Sequence, residues 1–208
     1  MKTILASVIA FSAIISCYGQ ADLIDHQESL VYCSSGNEKL QQEDYDGAIA
    51  DYSEAIKRDP NLVEAYINRG NARCRLKDYN EAIDDYNKGI KINPNISGAF
   101  YNRGCARYSL NDNNGAISDF TRAIQLNAFY REAYNNRGNV KRILLDDEGS
   151  IADFTKAIEL DPKKSDAYFN RAMARISLKL TESACADLKM AVSLGDIKAN
   201  EELIKFCK

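Results

Sequence analysis

The sequence predicts an all-α protein assembled from repeated helix pairs. First, the stretch "AYINRGNAR" (Ala65 to Arg73) returns every 34 residues, as "AFYNRGCAR", "AYNNRGNVK" and "AYFNRAMAR". Second, each period contains two segments of about fourteen residues with apolar side chains at helical spacing, separated by a short polar turn. Third, the composition is 45% hydrophobic and 27% charged, with three prolines in 208 residues. Such a composition is ordinary for a soluble domain with a buried interior.

The N-terminal segment lies outside the repeat. After Met1 and Lys2, residues 3–16 form the charge-free apolar run "TILASVIAFSAIIS". As a helix this run spans about 21 Å, short of a hydrocarbon core of about 30 Å. We therefore predict a signal peptide over residues 1–19, cleaved after Gly19, and a short linker over residues 20–28. The alternative is a lipobox-like Ile14–Cys17, which would put a lipid anchor on Cys17. Either route predicts an exported chain, periplasmic or secreted, or membrane-anchored through Cys17.

Five repeats follow in a single register, at residues 29–62, 63–96, 97–130, 131–164 and 165–198. Counting each repeat from position 1, positions 8, 20 and 27 are small and position 24 is large and apolar. Position 24 is occupied by Tyr52, Tyr86, Phe120, Phe154 and Leu188. Proline closes three of the repeats, at Pro60, Pro94 and Pro162.

This order of small, large and aromatic residues resembles the tetratricopeptide repeat, in its exported bacterial type. The resemblance implies a right-handed superhelical solenoid of five helix pairs. The remaining "IKANEELIKFCK" (Ile197 to Lys208) is predicted to form a capping helix that covers the last core, with Ile197, Leu203, Ile204 and Phe206 facing inward. Within the domain boundaries, residues 199–208 form the remainder of this cap.

Arginine at position 7 and aspartate at position 23 are predicted to form structural ion pairs. The residues are Arg69, Arg103, Arg137 and Arg171, with Asp51, Asp85, Asp119 and Asp153. The first repeat has Ser35 at position 7 and no repeat in front of it. We therefore expect each arginine to reach back to the aspartate of the preceding repeat, where a bidentate contact would fix the angle between neighbours. By the same rule Lys205 of the cap is expected opposite Asp187.

The resemblance also implies a binding surface. In tetratricopeptide proteins, positions 2, 5, 6, 9, 12 and 13 of the first helix line a concave groove, and asparagine at position 6 commonly grips the backbone of an extended peptide. A carboxamide suits that role because it both donates and accepts. The implied peptide-binding residues are Asn37, Asn68, Asn71, Tyr101, Asn102, Tyr108, Asn135, Asn136, Asn139, Arg142, Phe169 and Asn170. The alternative is that these amides merely hydrate the groove or cap turns.

One variant of the family is excluded by the residues themselves. Adaptors for chaperone tails hold a terminal carboxylate with cations at fixed groove positions. Here Cys33, Gly98 and Asn102 stand where those cations are needed. That partner is therefore not expected.

Cys185 and Cys207 are predicted to form a disulfide. They lie eleven residues before and after Asp196, the centre of the turn into the cap. Residues equidistant from the turn of an antiparallel helix hairpin lie at the same height, and exported chains fold under oxidising conditions. Cys33, Cys74 and Cys105 are expected to be free thiols.

Nothing in the sequence indicates an enzyme, a cofactor or a metal site. The single histidine, His26, has no fixed catalytic companion, and phosphate-loop, nucleophile-elbow and zinc patterns are missing. The sequence therefore predicts a non-enzymatic scaffold that holds an extended peptide of a partner protein. The alternatives are a structural spacer of an envelope assembly with no groove ligand, and a helical-repeat RNA binder. The net charge of -3 disfavours a nucleic-acid partner.

Overall fold

The computed structural model describes residues 23–207, which form helices joined by short turns. The chain divides into two compact units, Met1–Pro94 and Asn95–Lys208. The helices of the N-terminal unit are α1 (23–41), α2 (Tyr45–Arg58), α3 (Val63–Leu76) and α4 (Tyr79–Ile92). Those of the C-terminal unit are α5 (Ser97–Ser109), α6 (Asn113–Leu126), α7 (Arg131–Ile143), α8 (Asp147–Leu160), α9 (Ser165–Ser177), α10 (Thr181–Ser193) and α11 (Ile197–Phe206).

Packing follows the order of the chain within each unit. From α2 to α4, and again from α5 to α11, each helix packs against the next. The prediction of an all-α array of tetratricopeptide helix pairs with a C-terminal capping helix is confirmed. The signal peptide and the lipid anchor at Cys17 fall outside the described residues.

The linker predicted for residues 20–28 is helical from residue 23 onward, as part of α1. Polar contacts hold this segment. His26 Nδ1 lies 2.6 Å from Asp59 Oδ2, and Glu28 forms an ion pair with Arg58. Ser29 is buried, and its hydroxyl donates to the carbonyl of His26 at 2.7 Å. These partners come from the end of α2 and from within α1, which is why the repeat period gave no sign of them.

The turn inside each repeat uses one left-handed residue at position 15. Glu43, Lys77, Asn111, Leu145 and Lys179 have φ between 60° and 68°. An aspartate follows the first four of them, and in three repeats it caps the second helix. The side chains of Asp44, Asp112 and Asp146 accept from the backbone N–H of the residue three positions later. This turn reverses the chain, so that the second helix packs back along the first.

The loop between repeats is set by a side-chain hydrogen bond rather than by proline. Asp59 Oδ1 accepts from the N–H of Asn61 at 2.9 Å, and Asp161 Oδ1 accepts from that of Lys163 at 3.1 Å. The third repeat lacks the usual proline, yet Asn127 Oδ1 accepts from the N–H of Phe129 at 3.0 Å. The turn at this point therefore forms without a proline.

The core of each repeat is a close approach between positions 8 and 24. A β-carbon on Gly138 would lie 2.7 Å from Cε1 of Phe154, and Gly70 and Gly104 stand equally close to Tyr86 and Phe120. The fifth repeat changes both members together. Ala172 replaces glycine and Leu188 replaces the ring, and both are completely buried. The smaller side chain at position 24 makes room for the methyl group at position 8.

The capping helix α11 is held by packing and by a covalent bond. Leu203 and Cys207 pack against a cluster that contains Leu188. The predicted disulfide between Cys185 and Cys207 is present, with α-carbons 5.7 Å apart. The inward face predicted for the cap was partly wrong, because Ile197 and Ile204 are 82% and 67% exposed.

Candidate functional site

The predicted arginine–aspartate pairs form, but with different partners. Arg137 donates from Nε and Nη2 to Asp153 at 2.9 and 2.6 Å, within its own repeat. The same bidentate contact recurs between Arg69 and Asp85, Arg103 and Asp119, and Arg171 and Asp187. The pairing with the preceding repeat was therefore wrong. Likewise Lys205 pairs with Glu202 at 3.5 Å, while Asp187 is bound by Arg171 and Arg175.

The contact that crosses between repeats is made to a hydroxyl. Arg137 Nη1 donates to Thr121 Oγ1 at 3.0 Å, and Thr121 stands at position 25 of the preceding repeat. Within the units, Arg69 reaches Ser53 and Arg171 reaches Thr155 in the same way. Each of these arginines thus joins the buried aspartate of its own repeat to the second helix of the repeat before.

A second cation serves the same aspartate from position 11. Lys141 Nζ lies 2.9 Å from Asp153 Oδ2, and Arg73, Arg107 and Arg175 make the equivalent contact in their repeats. In the first repeat Lys39 contributes this cation at 2.7 Å, and Ser35 donates to Asp51 at 2.6 Å. Burial alone would raise the pKa of Asp51, but the hydrogen bonds from Lys39 and Ser35 outweigh it and lower the pKa. The first repeat therefore satisfies its aspartate without an arginine.

In the N-terminal unit, the amides predicted to hold a ligand are tied to buried tyrosines. Tyr52 donates its hydroxyl to Asn37 Oδ1 at 2.8 Å, and Tyr86 donates to Asn71 Oδ1 at 2.9 Å. Asn68 Nδ2 also donates to Asn37 Oδ1, at 2.9 Å. Both tyrosine rings are fully buried. Asn37 and Asn71 therefore satisfy core hydroxyls, a role that the sequence analysis missed.

In the C-terminal unit, the position-6 amides link neighbouring first helices. Asn136 Nδ2 donates to the Tyr101 hydroxyl at 3.0 Å, and Asn170 Nδ2 donates to Asn135 Oδ1 at 3.3 Å. The ring of Tyr101 lies 4.8 Å from that of Tyr130. Burial raises the pKa of Tyr101 well above its ordinary value and that of Tyr130 to about 12, and Cys105 contributes to both shifts. This part of the predicted groove is thus a connected layer of amides and phenols.

Some groups on this surface keep open hydrogen-bonding capacity. The Oδ1 atoms of Asn136 and Asn170 accept no hydrogen bond from the described residues, and the half-buried Asn139 side chain makes none with them. Position 24 explains the difference, since Phe154 has no hydroxyl to occupy Asn139 as Tyr86 occupies Asn71.

Apart from Arg142, two aromatic side chains and one more amide complete the predicted groove set. Tyr108 is 40% exposed, whereas Phe169 packs against the last core cluster. Asn102 interacts with other residues of the chain. Of the predicted groove aromatics outside the amide layer, Tyr108 is therefore the one that remains open to a ligand.

Neither metal nor membrane chemistry is indicated by residues 23–207. No group of three or more potential ligands in that range is placed to hold a metal ion, and no helix there has the length and apolarity of a membrane span. Cys33, Cys74 and Cys105 are not in disulfides, as predicted. Burial raises the pKa of Cys33 and Cys74 above their ordinary values.

Sequence models of one family match along the chain. The description "Tetratricopeptide repeat" applies to residues 63–96, to residues 97–130 and 132–164, and to residues 154–186. The description "TPR repeat" applies to residues 36–77. The comparison with curated proteins gave no match.

Solved structures of the same family resemble the chain over most of its length. The MamA protein is 29% identical with a TM-score of 0.76, over 85% of this chain and 97% of that one. YrrB, described as a TPR protein with an unusual peptide-binding site, is 23% identical with a TM-score of 0.73, over 84% of this chain and 90% of that one. The first TPR of Spaghetti (RPAP3), bound to the HSP90 peptide SRMEEVD, is 31% identical with a TM-score of 0.57, over 58% of this chain and 95% of that one. From the repeat geometry, the family matches and these structures together, the chain belongs to the tetratricopeptide repeat family.

Proposed function

We propose that the protein is a non-enzymatic scaffold that binds an extended segment of a partner protein. The segment lies on the first-helix face of the C-terminal unit, where Asn139, Asn136, Asn170 and Tyr108 are available. Two of the similar structures are described as binding peptides, which supports this class of ligand. The Spaghetti domain is bound to an HSP90 peptide. This chain lacks the cations with which adaptors for chaperone tails hold a terminal carboxylate, so we expect a different partner.

One observation carries the proposal: the open amides are already held in place. The Nδ2 group of Asn136 donates to Tyr101 and Cys105, and that of Asn170 donates to Asn135, all in the preceding repeat. These bonds fix each side chain, while its carbonyl oxygen accepts no bond from the described residues. A fixed amide loses little conformational entropy when it binds, so such groups recognise a peptide backbone efficiently. Tyr108 adds a rigid aromatic surface beside them.

The first experiment uses the chain from Gln20 to Lys208 and a phage-displayed library of random peptides of about a dozen residues. A selected peptide is then titrated against the wild type by fluorescence anisotropy. We expect Asn139→Ala to weaken binding on the order of tenfold, since it removes two potential hydrogen bonds to the ligand. Its thermal unfolding should be unchanged, because the Asn139 side chain makes no hydrogen bond with the described residues.

The matched control is Asn114→Ala. Asn114 is an exposed asparagine on α6, a second helix, and should affect neither binding nor stability. If no peptide is selected, or if Asn139→Ala and Asn114→Ala bind the peptide equally well, the proposed binding face is wrong. The absence of any selected peptide would favour a structural spacer.

Export is a separate part of the proposal. The apolar run at residues 3–16 supports a signal that directs the chain to the cell envelope or the medium. A disulfide in the described part also suits an oxidising compartment. The intact mass of the protein purified from its host distinguishes a chain that begins at Gln20 from one lipidated at Cys17. A full-length mass with residues 1–19 retained would contradict export by either route.

A further inference from the structure

Arg142 has an unusual position among the charged residues of the C-terminal unit. It occupies groove position 12 in the last turn of α7, on the same helix face as Asn135 and Asn139. No carboxylate of the described residues forms an ion pair with it. Its Nε atom is buried and has no hydrogen-bond partner among them.

Every other cation on α5, α7 and α9 is neutralised. Their carboxylate partners lie within the same unit, at distances between 2.6 and 3.2 Å. The neutralised residues are Arg103, Arg107, Arg131, Arg137, Lys141, Arg171 and Arg175. Among the cations of these three helices, Arg142 alone has no carboxylate partner in the described residues, and its charge is therefore available to a ligand.

The end of α7 stabilises the positive charge of Arg142 but provides no hydrogen-bond acceptor for its Nε atom. The end of α7 carries the negative pole of the helix, which attracts a guanidinium. That field supplies no acceptor for Nε, and a buried donor without an acceptor is destabilising. The two Nη groups have no hydrogen-bond partner among the described residues either, and together they can donate two parallel hydrogen bonds to a planar acceptor such as a carboxylate.

Arg142 is the one positively charged residue at the groove positions of α5, α7 and α9. Glu132 and Asp166 are the two acidic residues at those positions, and Arg131 binds both, at 3.0 and 3.2 Å. Arg131, Glu132 and Asp166 therefore sum to a charge of -1 at the start of α7 and α9, whereas Arg142 places a positive charge at the end of α7. Charge complementarity selects an acidic group there.

Two exposed apolar side chains occupy groove positions next to Arg142, one in the preceding repeat and one in its own. Tyr108 holds the same position in the preceding repeat and is 40% exposed, and the next residue, Ile143, is 47% exposed. A ligand that brings an acid to Arg142 thus meets exposed apolar surface on either side. An apolar side chain next to the acid would cover it.

We infer that the segment bound on this face presents a carboxylate to Arg142, with an apolar side chain as its neighbour. The inference rests on the proposed function and specifies its ligand. The carboxylate belongs either to an Asp or Glu side chain or to a free C-terminus.

The test uses the same peptide library and the oxidised chain from Gln20 to Lys208. Wild-type selections should enrich Asp or Glu next to an apolar residue, and Arg142→Glu selections should enrich Lys or Arg at that place. A selected acidic peptide should bind Arg142→Gln more weakly by a factor on the order of ten or more. Its amide analogue, with Asn or Gln replacing the acid, should bind wild type and Arg142→Gln equally.

The control is Lys189→Gln, which removes one charge from an exposed lysine on α10 and should leave the affinity unchanged. Amidated and free-acid forms of the peptide distinguish a side-chain carboxylate from a terminal one. Selected peptides that have no acidic side chain and bind equally well as amide and free acid, or equal binding by Arg142→Gln and wild type, would overturn this inference while the proposed function stands. Failure to select any peptide would overturn both.

Discussion

The partner of Arg137 can be established by two double-mutant cycles. The guanidinium makes two hydrogen bonds to Asp153 and one to Thr121, and the two charged side chains are 15% and 5% exposed. Breaking a buried pair from one side costs about 3–5 kcal/mol. Lys141 remains beside Asp153, so we expect the lower end, about 3 kcal/mol, for Arg137→Ala. In an Asp153→Ala background only the bond to Thr121 is left to lose, which is worth about 1 kcal/mol.

The coupling between Arg137 and Asp153 should therefore be about 2 kcal/mol, whereas Arg137 and Asp119 should be additive to within about 0.5 kcal/mol. Urea unfolding followed by far-UV circular dichroism, fitted with a nearest-neighbour model suited to repeat arrays, measures both cycles. The reverse outcome, strong coupling to Asp119 and additivity with Asp153, would restore the pairing between repeats and refute the pairing within the repeat.

Three further predictions concern the core, the cap and the alkaline limit. Gly138→Ala should destabilise the protein by about 1–3 kcal/mol, because the new methyl group overpacks against Phe154. Gly98→Ala is the control, since nothing lies within 4 Å of its new methyl group, and it should not destabilise the protein. Equal unfolding midpoints for the two variants would contradict the close approach at Gly138. Cys185→Ser should lower stability by about 3 kcal/mol, from the loop entropy of a 22-residue separation, and reductant should have no added effect on this variant. Burial raises the pKa of Tyr52 to about 12, above an unfolded value of about 10, so the stability it contributes is complete below pH 10 and is lost as the pH rises through 12. Tyr52→Phe should flatten the fall in unfolding midpoint across that range, and an unchanged slope would show that another group controls it.

The helices were predictable because one period repeats five times without an insertion. Val63, Ser97, Arg131 and Ser165 each begin a repeat by sequence and a helix in the structure. The extension of α1 back to residue 23 was not predictable from the period, since it depends on contacts of His26 and Glu28 with the end of α2.

The ion pairs show where spacing alone is ambiguous. Position 7 contacts position 23 of its own repeat and position 25 of the preceding one, so the absence of arginine from the first repeat indicated the wrong aspartate as the partner. Position 11 indicated the pairing within the repeat, because even the first repeat has a cation there, Lys39, to pair with its own aspartate. The sequence also contained an indication of what the groove amides bind. Asn37 and Asn71 occur in the repeats that have tyrosine rather than phenylalanine at position 24, and they accept from those tyrosine hydroxyls.

The bond between Cys185 and Cys207 also determines how the protein would bear tension. A pull applied beyond Cys207 passes through the bridge into α10, so α11 lies outside the path of the force. While the bridge is intact, the chain between the two cysteines, which are separated by 22 positions, cannot be extended. Reduction would release roughly 75 Å of additional contour length, at about 3.5 Å per residue. A tether at the C-terminus would therefore load the last full repeat directly and leave its capping helix in place.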